Sequence, residues 1–535
     1  MNKLLAKIYD LSYNSIQILS LAFMGLLFIS GFLFTCHATD MTSQQVLTRI
    51  DNPLWNILGT AGLLTVFGFI CHIVCRRPAL GKKILLILTF GWIILLGAVL
   101  ILFGRTAPAA DAWSVYSAAG SLAAGDTSVI HPTDSYLSYY PQQVGLTAFL
   151  ELLIRVWNLF PIDLQAYHFI KCLYVVLTCL IVYYQYATVH LLWEDDRADC
   201  LYLILAGGNL PLIFYSSFVY GEIPSFAALS AGIYLLLRLL QNREEKHLKR
   251  IAVCPLVLLT LSVMLRKNSL IILIAVILTV LAEGIKTRRR GLFLFAALCT
   301  AGALTILPAT QKIYELRAGN TLRSGVPAMS YFAMGMQESS RGNGWYNGFN
   351  FDTYRDTGMD TAATSELSRQ FMEERSAYFL QHPGYTADFY FHKFLSQWAD
   401  GTYASRQATL ATLGERHPAV ESVYTGSASR FYVEYCNLYQ NLTWLCCLTW
   451  VLSGILSRKD RRLYPWIGLI GAFGGFLFHM IWEANARYIF LYGLLLMPYA
   501  ARGMSLLSST FSLGRFRKNN RDRSLNATEK PTTAA

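Results

Sequence analysis

The run ILLILTFGWIILLGAVLILF, from Ile84 to Phe103, decides the class of this chain. At roughly 1.5 Å per residue, an uncharged helix of this length crosses ~30 Å of hydrocarbon. Arg76, Arg77, Lys82 and Lys83 lie before it, and Arg105 and Asp111 lie after it. Comparable runs recur along the 535 residues, which are 54% hydrophobic and only 15% charged. A soluble protein carries roughly 25% charge. The sequence therefore predicts an all-α polytopic membrane protein. The formal charge of +12 sits in short loops between apolar runs, where it reads as a topology signal and not as a nucleic-acid footprint.

Working outward from Ile84–Phe103, the apolar periodicity predicts about twelve spans. They are Ile16–Phe34, Leu54–Cys75, Ile84–Phe103, Tyr167–Trp193, Cys200–Phe218, Ile223–Leu240, Ile251–Leu265, Leu270–Ala282, Leu292–Pro308, Trp444–Leu456, Trp466–Ile481 and Tyr488–Leu506. The first run is read as a span and not as a cleaved signal. The basic clusters at Arg76–Lys83, Arg243–Arg250, Lys286–Arg290 and Arg458–Arg462 fall on one side only if Val144–Trp157 does not cross. That segment is short and carries Glu151 and Arg155, so it is read as one interfacial or re-entrant helix. Basic loops favour the cytoplasmic side, which puts both termini inside and Asp111 outside. The organisation expected is a membrane domain over residues 1–308 with a first outer loop at 104–141, then a mainly helical extracytoplasmic insert at 309–436. Membrane helices follow at 437–508, and a basic, disordered cytoplasmic tail at 509–535. The eleven cysteines include no CxxC pair and none falls in the polar stretch 309–435, so neither a disulfide framework nor a cysteine metal site is expected.

After Asp111, apolar residues recur at Ala112, Val115, Tyr116, Ala119, Leu122 and Ala123. This is the spacing of an amphipathic helix lying on a membrane surface. The same topology gathers other groups on that side: the acids Glu222 and Glu483, the cations Arg266, Lys267, Arg487 and Lys393, and the aromatics Tyr139, Tyr140, Tyr220, Trp345, Tyr346, Trp398 and Tyr488. Cations bind phosphate, acids accept protons from hydroxyl groups, and aromatic faces cover sugar rings. The plain alternatives are a solvated juxtamembrane Asp111 and cations that snorkel to the interface.

The order of these parts resembles the polyprenyl-phosphate-sugar-dependent membrane glycosyltransferases of the GT-C type, including protein mannosyltransferase and aminoarabinose transferase relatives. The matching features are Asp111 in the first large outer loop, Tyr140-Pro141-Gln142-Gln143-Val144-Gly145, Tyr220-Gly221-Glu222-Ile223-Pro224, Leu265-Arg266-Lys267-Asn268-Ser269 and Glu483-Ala484-Asn485-Ala486-Arg487-Tyr488. Tyr331–Glu338 and Gly344–Asn347 are similar to inserts of bacterial members. The resemblance implies an inverting sugar transfer on the outer face of a bacterial-type cytoplasmic membrane. The donor is a polyprenyl-phosphate-linked sugar, and the acceptor is an unspecified protein, glycan or lipid. It implies Asp111 as general base, Glu222 as a second acid, and Arg266, Lys267 and Arg487 on the donor phosphate. Tyr139, Tyr140, Gln142, Tyr220, Asn268, Trp345, Tyr346, Glu483 and Tyr488 would contact substrate. Many relatives pair two acids in the first loop. Here Ala112 follows Asp111, which argues against a bound divalent cation, because a hard cation recruits several oxygens. No cofactor is assigned, and a divalent cation stays open as the weaker alternative. The alternative function is a transporter or flippase for lipid-linked glycans. It requires ionisable groups deep in several spans, where Lys171 and Glu151–Arg155 are the main candidates.

Overall fold

The computed structural model describes residues 2–38, 45–131, 135–241, 252–457 and 461–527, with side chains from Lys7 to Ser508. The expected basic loop Arg243–Arg250, and Arg458, Lys459 and Asp460, lie outside the described residues. Among the described residues, nine helices are long and apolar enough to cross a membrane, judged by length and composition. The chain is thus a predominantly helical membrane protein.

The helix Pro78–Leu102 shows why these runs need a bilayer. Leu85, Thr89, Ile93, Gly97 and Leu100 fall on one buried face at helical spacing. Ile87, Leu88, Ile94, Leu95 and Leu102 are exposed on the other. An apolar face left open over a whole helix is stable against lipid and not against water. Gly97 lets this helix approach Ala166–Trp193, because a Cβ there would lie 2.6 Å from Val175. Pro53–Val74 starts at Asn52, whose side chain accepts from the Leu54 N–H, with Pro53 at the first helical position.

Three other stretches complete the bundle. Val253–Leu265 is apolar but short. Asp196–Gly208 and Leu210–Tyr215 form one broken rod: Asn209 interrupts it, and its side chain accepts from the Leu212 N–H at 3.1 Å. Ala428–Ser457 runs 30 residues, starting well before the expected Trp444. Val144–Trp157 is a 14-residue helix packed on the surface helix Ala110–Ala123 and on Arg290–Ala318. Pro308, expected to end a span, lies inside Arg290–Ala318. The last helix, Ala486–Ala527, continues through the stretch expected to be a disordered tail.

One element corrects the all-α expectation. Phe34–Ala38 and Val46–Ile50 pair as an antiparallel hairpin at the end of the first helix. Cys36 N–H donates to Ala399 O and Val46 N–H to Arg341 O, both at 2.9 Å, so the hairpin fastens the first helix to the insert. Thr35, Val46, Thr48 and Ile50 are β-branched and suit a strand, but the run is too short to stand out in the sequence.

The bundle has two distinct ends. At one, Tyr9 OH donates to Glu283 at 2.9 Å and Arg502 pairs with Asp195. At the other lie the hairpin, the surface helix and the insert, built from Ala328–Gly335, Phe349–Asp356, Thr361–Gln381, Pro383–Trp398, Ser405–Ala408 and Pro418–Tyr424.

Candidate functional site

Two tight turns meet at the insert end. The turn before Glu222–Gln241 carries Gly221, and a Cβ there would lie 2.5 Å from Leu265 O. Only glycine allows this approach, and it sets Glu222 beside Arg266. Ser225 ties the turns together: its hydroxyl donates to Ser262 O at 2.8 Å and lies 2.7 Å from Ser269 Oγ. The third turn, Trp482–Asn485, delivers Arg487, whose N–H donates to Asn485 Oδ1 at 2.9 Å.

These turns bring two guanidinium groups together. Arg266 Nη2 lies 2.9 Å from Glu222 Oε1, and Arg487 Nε lies 3.7 Å from the same oxygen. Glu222 is buried at the first turn of its helix, where the dipole favours a negative charge. Yet neither of its carboxylate oxygens has a partner in hydrogen-bond geometry among the described residues. The two guanidinium carbons lie 5.2 and 5.4 Å from the centre of the Tyr220 ring, and 5.8 and 5.7 Å from that of Tyr488. Tyr220 is itself fixed: Gln143 Nε2 donates to its hydroxyl at 2.5 Å, and Tyr174 OH donates to its carbonyl at 2.8 Å.

Two further acids border the cluster. Glu483 is buried, and Tyr488 OH donates to it at 3.3 Å. Burial, with the nearby charge of Asp111, pushes its carboxyl up to about 7, against the pull of Arg487. Asp111 itself is exposed in the first turn of Ala110–Ala123. Its charge also adds to the burial that raises the phenols of Tyr140, Tyr220 and Tyr346, so these groups share one electrostatic field. The residue before it, Ala110, has φ +48°, a left-handed conformation that costs a non-glycine residue about 1 kcal/mol or more.

The insert closes over the third turn. Ala484 N–H donates to Gly344 O at 2.7 Å, and Tyr331 stacks on Trp482 at 4.8 Å and 7°. Lys393, fully buried, donates to Gly335 O at 2.5 Å and to Trp482 O at 2.8 Å. Burial pushes this amine down to about 7, with Glu483 acting in the opposite sense.

Glu222, Arg266, Arg487, Tyr220, Glu483 and Tyr488 therefore converge, with Asp111, Tyr140 and Tyr346 in the same field. Other expected contacts fall elsewhere. Tyr139 is buried against Phe351 at 4.7 Å and Tyr354 at 5.6 Å, inside the packing of the insert. Trp345 is also buried: its indole donates to Ser396 at 2.9 Å, and its backbone pairs with Ala484. Lys267 is exposed on the rim, and Asn268 starts Ser269–Thr287 without capping it through its side chain. Gln142 was the expected amide, but its neighbour Gln143 is the one that reaches Tyr220. Gln143, Tyr331, Trp482 and Lys393 gain their roles from partners distant in sequence. Lys393 is among the cations that the sequence gathers on this side, and Gln143 and Tyr331 fall within the motifs it singles out; Trp482 is not among them.

Among the described residues, no three His, Cys, Asp or Glu side chains come together as metal ligands. No family model matches the chain, and no curated protein matches it in sequence.

Proposed function

We propose that this protein is a membrane glycosyltransferase of the GT-C type that moves a sugar from a polyprenyl phosphate to an acceptor hydroxyl. One observation carries the reading. Arg266 and Arg487 both lie 5.2–5.8 Å from the ring centres of Tyr220 and Tyr488, beside a carboxylate whose oxygens make no hydrogen bond among the described residues, at the insert end of an apolar bundle. Two planar guanidinium groups at that depth suit a lipid phosphate, which a guanidinium can hold in bidentate fashion.

In this reading Asp111 takes the proton of the acceptor hydroxyl as its oxygen bonds to the anomeric carbon. The bond from that carbon to the phosphate oxygen breaks in the same displacement, so the configuration inverts. The leaving lipid phosphate is already an anion and needs charge stabilisation, supplied by Arg266 and Arg487 with Lys267 at the rim. Glu222 holds the two guanidinium groups in register. Tyr140 and Tyr346 offer ring faces to the sugar, and Glu483, half protonated at neutral pH, can donate to a sugar hydroxyl. Its chemical setting differs from that of exposed Asp111, and such a difference lets two nearby carboxyl groups play different parts.

The proposed topology has twelve passes: the nine long apolar helices, Val253–Leu265, the broken rod 196–215 and Ala428–Ser457. It is supported by the two-ended arrangement, with Arg461, Lys286 and Arg502 opposite the insert. By the excess of basic residues, that end is cytoplasmic and the site faces outward across a cell membrane. The test is transfer of labelled sugar from polyprenyl-phosphate donors by the full chain in proteoliposomes. Loss of transfer in Asp111→Asn, with the fold kept, is expected. Unchanged transfer removes the base and the mechanism with it.

A further inference from the structure

A second polar site lies away from the Glu222 cluster, where the hairpin meets the starts of Pro53–Val74 and Ala428–Ser457. It is a cleft of about 610 Å³ whose walls include Arg49, Asp51, Trp55, Arg430 and Glu434. That volume is within the range of small-molecule pockets, roughly 300–1,000 Å³. Its apolar lining is open: Ile50 is 79% exposed and Trp55 55%, and Phe431, next in sequence to Arg430, is exposed too. Trp55 stands three residues into an apolar span, where tryptophan marks the interface between lipid and water. The cleft therefore opens towards lipid at headgroup depth.

We propose that this cleft binds the headgroup of an anionic phospholipid. The argument rests on which polar atoms are already used. Asp51 is buried, and its oxygens accept from Thr35 at 2.6 Å, Arg49 at 2.9 Å, Asn56 at 3.1 Å and Asn437 at 3.2 Å. Both oxygens of Glu434 accept from Arg49, at 2.8 and 3.2 Å. The acids thus serve to fix the Arg49 guanidinium. That group has five N–H donors, of which three are spent here, so two remain for a ligand. Arg430 is exposed and, among the described residues, pairs with no acid. The open face of the cleft thus offers guanidinium donors, while its carboxylates are engaged. Such a face fits a phosphodiester and has little to hold an ammonium group. It therefore selects an anionic headgroup over a zwitterionic one. The acyl chains would lie along the exposed Ile50, Leu54 and Phe431. The site is independent of the sugar-transfer reading, since it shares no lining residue with that cluster.

The experiment uses the full chain in nanodiscs of equal parts phosphatidylglycerol and phosphatidylethanolamine, released into native mass spectrometry. One phosphatidylglycerol should stay bound per chain in preference to phosphatidylethanolamine. Arg430→Gln should cut that retention about tenfold, the worth of a hydrogen bond to a charged group. Trp55→Leu, which keeps an apolar side chain but removes the indole and part of its volume, is the second variant and should also lower it. Excess inorganic phosphate should not displace the lipid. Equal retention of the two lipids overturns the proposal, as does retention untouched by both variants. Displacement by inorganic phosphate would make the cleft a free-anion site, and overturns it too. Retention unaffected by Arg430→Gln alone overturns it as well, and leaves Arg430 as a residue that merely snorkels to the interface.

Discussion

The insert end of the bundle contains two clusters built from the same parts. Each has a buried glutamate, two arginines and at least one tyrosine. Glu151 accepts from Tyr314 at 2.5 Å, Arg317 at 2.6 Å and Arg155 at 2.8 Å. The same two arginines also donate to Leu122 O, at 2.6 and 2.7 Å, and so hold down the C-terminal end of the Asp111 helix. Glu222 sits beside Arg266, Arg487 and Tyr220 yet accepts no hydrogen bond among the described residues. Identical chemistry thus serves two ends. Where every acceptor is used, the cluster is a clamp. Where acceptors and guanidinium edges are left over, it has capacity for a ligand. A buried carboxylate held by ion pairs but with its hydrogen-bonding capacity unfilled is a state that a fold keeps only for a reason.

That contrast is open to attack, and the largest effect is at Asp111. Asp111→Asn should lower sugar transfer about 10²- to 10⁴-fold, the usual worth of a positioned base, while thermal unfolding stays where it was. A matching loss of stability would mean that Asp111 belongs to the clamp. Next, Glu151→Ala leaves two arginines and a tyrosine without their acceptor. Both arginines are partly exposed, so the loss should sit near the low end for a broken buried pair, about 3 kcal/mol in denaturant unfolding. Glu222→Gln removes the ion pairs with Arg266 and Arg487 but no tyrosine hydrogen bond, so it should cost less stability than Glu151→Gln; equal losses would erase the distinction. Third, Arg487→Lys keeps the charge and loses the fork. Transfer should fall about tenfold in kcat/KM with the fold intact.

The smallest effect separates the acids by pH. Glu151 lies below the ordinary carboxylate range: burial opposes ionisation, but its bonds to Tyr314, Arg317 and Arg155 prevail. Its contribution to stability is present above the unfolded value of 4.5 and is lost as pH falls. Glu483 is raised instead, so the folded chain holds a proton there that the unfolded chain releases. Its contribution is present at low pH and declines as pH rises from 4.5 to about 7. Glu483→Gln should remove that decline, and Glu151→Gln should remove the acid-side loss. Unfolding midpoints measured across this range in both variants would show whether the slopes have opposite signs.

Much of this was legible in the sequence, and the reason is local. A run such as Ile84–Phe103 declares a bilayer-crossing helix by its own composition, whatever it packs against. The short Val144–Trp157, with Glu151 and Arg155, was separable from the long helices on the same grounds. Arg266 and Arg487 stood out because charges interrupt apolar turns. The hairpin Phe34–Ile50 was missed because five-residue strands carry little signal beside a long helix. Gln142 was preferred to Gln143 because adjacent positions in a turn differ only in where the backbone points them.

The sequence by itself determined the helical membrane class, the polar stretch that holds the insert, and the charged turns between apolar runs. These depend on hydrophobicity and charge within single segments. Only the tertiary structure decided which glutamate is saturated and which is left open, and that Tyr139 and Trp345 pack the insert instead of lining the cluster. Hydrogen-bond saturation is a property of partners brought from distant segments, such as Glu151 with Tyr314 and Arg317, or Glu222 with Arg266 and Arg487. No reading of one segment contains its partner's position.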